Sequence, residues 1–193
     1  MAKYSGNFTS VTATAIADTT ALTDNNYLYA LQGGTSTQRN LISEIMIGGE
    51  AAASVVQVIK FARDSTASAT LVAGTGGKVP VLLDGSGTAP ATAPLGGNSA
   101  TTDPQRSSTL HLLNFSFNGF GGIVRWVAAP GYEIAMAGNT ASLGDCSLSG
   151  FTGQGAGASS GHILLETVAV TAVSLLGGII AAFAMMGPNV SSY

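Results

Sequence analysis

Hydrophobic residues recur in this chain mostly at alternate positions, in short runs separated by glycine, proline, serine and threonine. Alternation sends successive side chains to opposite faces of an extended chain, so the pattern predicts half-buried β-strands. NYLYAL, residues 26–31, is a first short strand, and QGGTSTQRN after it reads as a turn in which glycine supplies positive φ. In LISEIMI, Ile42, Glu44 and Met46 share one face, while Leu41, Ser43, Ile45 and Ile47 share the other. Gly48-Gly49 ends that run. Val55 to Ala62 carries the strongest strand signal, with Val55, Val56, Val58, Ile59 and Phe61 all favouring β structure. The helix-forming Ala51-Ala52-Ala53 make a helix over 50–62 the rival reading.

Residues 64–109 hold turn chemistry with one short strand, and include four of the chain's six prolines. A loop of that length is usually functional or lies on a surface. The strand signal returns in LHLLNFSFNGFGG from 110, then in Ile123 to Val127 and Tyr132 to Ala137 around an Ala129-Pro130-Gly131 turn. GDCSLSG gives a further alternating piece, and HILLETVAV a last strand. About eight short strands with Gly/Pro/Ser/Thr loops predict an all-β, two-sheet sandwich, jelly-roll-like first and immunoglobulin-like second. The first 25 residues, rich in Thr, Ala and Ser, read as an extended N-terminal arm or an edge strand. The chain then divides into an arm at 1–25, a sandwich at 26–167 with its long loop 64–109, and an apolar C-terminal arm at 168–193.

Composition changes the picture in one respect. Charged residues make up 9% of the 193 residues, against roughly 25% in an average soluble domain. So little charge suits a subunit packed against copies of itself. The seven basic residues are scattered, and Lys60 and Arg63 fall on opposite faces of a strand. Direct nucleic-acid binding needs clustered cations and is not expected. With Cys146 alone, an intramolecular disulfide and a cysteine zinc site are excluded. No charged n-region with an apolar h-region opens the chain, so synthesis in a cytoplasm is the expectation.

Candidate chemistry is sparse. His111 and His162 have no acidic neighbour in sequence and make no metal signature. Cys146 would need one of them beside it in space to act as a nucleophile; a lone thiol in a strand is usually core packing. GTGGKV at 74–79 fails as a phosphate loop, because Val72 and Val79 stand where glycine and Ser/Thr are required. The ten acids are dispersed, with no carboxylate pair of the glycosidase kind. No cofactor, metal site or catalytic residue is expected.

One constellation remains. Arg125 and Trp126 lie in NGFGGIVRWVAAPGYEI, on opposite faces of a strand: Trp126 would anchor one layer and Arg125 would face a carboxylate or solvent. Both residue types are favoured at interface hot spots. The run Gly121, Gly122, Arg125, Trp126, Ala128, Pro130 and Gly131 resembles strand-turn segments in small structural proteins of tailed-phage heads. YLYALQGG, the Pro/Gly/Thr loop and SGHILLE (160–166) give it a similar setting. The resemblance spans about 26–166. It implies a head decoration, cement or minor capsid subunit, commonly a homotrimer on a sandwich or jelly-roll base, binding a major capsid protein on the virion surface. It implies no catalytic residues.

The C-terminal stretch TVAVTAVSLLGGIIAAFAMMG, residues 167–187, carries no charge. About 20 apolar residues span a bilayer, so a tail-anchored membrane protein displaying a β-domain is one reading. Against it, Thr167, Thr171 and Ser174 dilute the first half and no Lys or Arg flanks either end. TVAVTAV alternates like a continuing strand, leaving SLLGGIIAAFAMMG as a helix too short to span. The other reading is an assembly arm, in which Leu175, Leu176, Ile179, Ile180 and Phe183 together supply on the order of 10 kcal/mol of burial before entropy costs. A third class, host attachment or carbohydrate binding, would use aromatics such as Tyr27, Tyr29 and Tyr132.

Overall fold

The computed structural model describes residues 2–33, 37–66, 70–85, 93–136 and 144–169. The described strands are β1 (Ala2–Val11), β2 (Tyr29–Leu31), β3 (Gln38–Glu50), β4 (Val56–Thr66), β5 (Gly77–Leu82) and β6 (Gly96–Gly97). They continue as β7 (Gln105–Asn118), β8 (Phe120–Val127), β9 (Ile134–Met136), β10 (Cys146–Gly150) and β11 (Ser159–Ala169). Residues 56–66 are strand, not helix: the β-branched run outweighs the alanines, which lie before the strand begins. The 64–109 stretch contributes the end of β4, both β5 and β6, and the start of β7.

Two antiparallel sheets form the sandwich. One runs β5-β1-β11-β3-β8, with β9 pairing the start of β3; the other runs β6-β2-β10-β4-β7. Set aside the short β5, β6 and β9, and the chain alternates between sheets at β1/β2, β3/β4, β7/β8 and β10/β11. Each sheet then interleaves early and late strands, in the orders β1-β11-β3-β8 and β2-β10-β4-β7. This nesting of two Greek keys is the jelly roll. Phe8, Ile45, Ile47, Phe61, Leu148 and Ile163 meet between the sheets and are almost fully buried. Tyr29 crosses from β2 to donate its hydroxyl to the Lys78 carbonyl at 2.5 Å. Its ring fits because Gly6 and Gly96 stand against it; a Cβ on Gly6 would lie 2.6 Å from the Tyr29 oxygen.

Within 1–25, read as an arm or an edge strand, the structure shows a strand that is not at an edge. Residues 2–11 are β1, held between β5 and β11. Tyr4, Gly6, Phe8 and Val11 point inward, and their alternation is masked in sequence because one of the four is glycine. Residues 12–28 then cross the outer face of the β2 sheet as a strap. Ile16, Leu22 and Tyr27 pack there with Ala30, Leu71 and Ala100 in a second apolar cluster. The strap is bonded along its length, by Thr19 N–H to the Arg106 carbonyl at 3.1 Å and Leu22 N–H to the Pro104 carbonyl at 2.9 Å.

Beneath the strap Arg106 is fully buried. Its Nε donates to Asp18 at 2.6 Å, one terminal nitrogen to Ser149 Oγ at 2.6 Å and the Gly150 carbonyl at 3.0 Å, and the other to the Ile16 carbonyl. Asp18 also meets Lys60 at 3.5 Å and His111 at 3.1 Å. The Lys60 ammonium sits 3.3 Å from the Phe151 ring centre. The three basic groups overcome the effect of burial and hold the Asp18 carboxyl below its ordinary value. A guanidinium out of water is tolerated only while it is paired. Asp18→Asn is therefore expected to cost about 3–5 kcal/mol, read by urea unfolding at neutral pH. A loss under about 1 kcal/mol, the range of exposed ion pairs, would show that the strap does not depend on this clamp.

Candidate interaction surface

β8 is an outermost strand of its sheet, and it places Arg125 and Trp126 by simple alternation. Trp126 turns inward and packs, half-buried, against the main core. Arg125 turns outward and grips Glu44 of β3 through both carboxylate oxygens, each at 2.8 Å. His162 of β11 meets the same carboxylate at 3.2 Å. The hydrogen bond from Arg125 is the main reason that the Glu44 carboxyl lies below its ordinary value, with His162 adding to it against a smaller cost of burial. Arg125 itself stays 59% exposed, so the pair is worth little in isolation.

Around this pair the outer face of β8 is apolar. Ile123 is 71% exposed, Phe120 60% and Val127 53%. Tyr132, in the turn that follows, is also on the surface, whereas Tyr27 and Tyr29 are fully buried and offer nothing to a sugar. At the opposite side of the sandwich, Val79, Val81 and Leu83 are exposed on and beside β5. The sequence placed Arg125 and Trp126 on opposite faces but gave no sign of Glu44 as the carboxylate, since it lies 81 positions away. Leu175, Leu176, Ile179, Ile180 and Phe183, expected as interface residues, lie outside the described residues, as does the 168–187 stretch apart from its first two positions. Among the described residues no helix is long and apolar enough to cross a membrane.

Among the described residues, Cys146, His111 and His162 lie apart from one another. Cys146 points into the core, fully buried, and burial pushes its thiol well above the ordinary range. His111 is on the strap side, against Lys60 and Asp18, and His162 is on the outer face of the other sheet, so neither is the partner a thiolate would need. Among the described residues no group of three His, Cys, Asp or Glu is placed to hold a metal ion.

Asp64 is the unusual group. It is fully buried, accepts a 2.5 Å hydrogen bond from Ser147, and has a second carboxyl oxygen with no partner. Burial raises it to about 8, with Asp145 adding to the rise while Ser147 and Arg106 oppose it. A carboxyl raised in the fold holds a proton that the unfolded chain releases. Its contribution to stability is therefore complete at acid pH, declines as pH climbs from about 4, and levels off above about 8. Asp64→Asn keeps the shape without the charge and is expected to flatten the stability profile between pH 5 and 8. Urea midpoints at the two pH values test this; an unchanged slope would acquit Asp64. Glu44→Gln, by contrast, is expected to cost only about 1 kcal/mol or less, in the same measurement. Set against known families, curated proteins and solved structures, the chain matches no family, no curated protein and no solved structure.

Proposed function

We propose that this chain is a non-enzymatic structural subunit of a virion: a decoration or cement protein that oligomerises, as a homotrimer, and reinforces a capsid shell by binding its major capsid protein. The observation that carries the reading is the apolar outer face of β8, with Ile123, Phe120 and Val127 each more than half exposed on a chain of which 9% is charged. Such side chains gain about 25 cal/mol for each Å² removed from water. A face of this kind on a sheet edge favours burial against another protein. The jelly roll supports the same class by analogy of fold, since capsid and lectin domains both use it. The stretch that resembles phage-head proteins, residues 121–131, is β8 and the turn after it, so the resemblance falls on this same face.

The mechanism is burial of area between copies and against the shell, with no bond made or broken. The protein would be synthesised in a host cytoplasm and reside on the capsid surface. The test is co-sedimentation of the purified full chain with shells assembled from the major capsid protein of the virus that encodes it. Saturable binding and a higher shell melting temperature are expected, and Phe120→Lys with Val127→Lys should weaken binding at least tenfold. A chain that stays in the supernatant at all concentrations and leaves shell melting unchanged would overturn the reading.

A further inference from the structure

We propose that the free edge of β8 pairs, antiparallel, with β8 of a second copy of this chain, joining two sandwiches across a twofold axis. This rests on the reading of the chain as an assembly subunit and names one of its contacts.

The backbone of β8 is set up for it. Ala128 N–H donates to the Ser43 carbonyl at 2.9 Å, and the pairing from Glu44↔Val127 to Gly48↔Ile123 runs without a slip. In an antiparallel ladder the bonded positions alternate. Val124 and Trp126 therefore turn their amides and carbonyls toward β3, while Ile123, Arg125 and Val127 turn theirs outward. Among the described strands β8 is paired with β3 alone. Among the described residues the outward groups are a free strand edge.

The other edges carry features that discourage pairing. β5 has Lys78 and Pro80 and a register slip against β1. β6 is two residues long and β9 three. The β7 ladder slips at three places between Phe61 and Thr66. Proteins guard edges with lysine, proline, bulges and shortness; the one slip of β8 against β3 lies between Phe120 and Ile123, and from Ile123 to Val127 it has none of these.

The chemistry of the face selects a like partner over a charged one. Arg125 is already neutralised by both oxygens of Glu44, leaving apolar side chains to either side. Self-pairing centred on Val124 sets Ile123 opposite Arg125 of the second copy and keeps the two guanidinium groups apart. Phe120, Ile123, Val127 and the Arg125 stem would bury on the order of 400 Å² per copy. The pair then reaches roughly 800 Å² before backbone is counted, close to the ~1,000 Å² that a specific interface clears. A contact of this size is modest by itself and gains from repetition in a shell. Added to a threefold contact, a twofold one closes a hexamer or extends a lattice.

The test is sedimentation equilibrium of the full chain beside Ile123→Pro and Ile123→Lys. Proline removes an amide hydrogen that points away from β3, so the β3 ladder is kept and the new pairing is blocked. Wild type is expected to form an even-numbered assembly, and both variants to fall to half its mass with unchanged circular dichroism. Val124→Cys, which would face its own copy across the axis, is expected to give an inter-chain disulfide under mild oxidation, Cys146 being buried and silent. Should the proline variant misfold, the lysine variant and the cross-link decide. An assembly of unchanged mass in the lysine variant, with no Val124→Cys dimer, would overturn the β8 contact and leave the assembly reading standing. A wild-type chain that is monomeric throughout would overturn both.

Discussion

The strap is held to the sheet beneath it by one buried ion pair, Arg106 with Asp18. The Arg106 guanidinium is fully buried, and its donors are divided between the strap, at Asp18 and the Ile16 carbonyl, and β10. A buried cation costs several kcal/mol unless a carboxylate accompanies it. Asp18 therefore has to come down onto the sheet, and residues 12–28 come with it. The strap in turn gives the β2 sheet a second covered face, which is why every residue of β2 and β10 is buried. The serines of β10 are turned toward polar partners there: Ser149 accepts from Arg106 and Ser147 donates to Asp64.

With β2 and β10 covered on both faces, exposed positions are left on β7 and on the outer surface of the other sheet. The connection from β4 to β7 removes a further option. It travels to the far edges of the two sheets and lays β5 beside β1 and β6 beside β2. A jelly roll has two such sides; among the described strands that one receives β5 and β6, while the other gains only the three-residue β9, beside the start of β3. The side formed by β7 and β8 keeps its edges, and there Trp126, Val124 and Phe117 remain half-buried against the core. Among the described residues, the exposed apolar side chains of β8 and its unpaired outer edge thus follow from where the other strands lie. The same arrangement explains why Arg125 and Trp126 carry different duties. Alternation gives one to the surface and the other to the core, and Glu44 keeps the surface charge satisfied.

Strand content was legible in the sequence because its signal is local. Alternating runs such as 41–47 and 110–117 need no distant partner to be recognised. The turn residues between them marked most boundaries, and the number of short strands led to a two-sheet sandwich. At the N-terminus the sequence reads as either an arm or an edge strand, since Gly6 is an inward position that carries no hydrophobic mark. Its meaning comes from Tyr29, which needs the space. The 64–109 stretch reads as holding one short strand where the structure has both β5 and β6, because edge strands tolerate the proline and glycine that interior strands reject.

By itself the sequence determined the fold class, the low charge, the absence of a recognisable catalytic motif, and the opposite orientation of Arg125 and Trp126. Each follows from composition or from the two-residue period of a strand. The tertiary structure alone decided that Asp18, Lys60, Arg106 and His111 meet, that Glu44 receives Arg125 and His162, and that Asp64 is sealed from water. These residues are brought together by hydrogen-bond register between strands far apart in the chain, and a local pattern holds no record of register. It likewise decided which strands stand outermost among the described residues, because an edge is defined by the neighbours a strand has in the sheet.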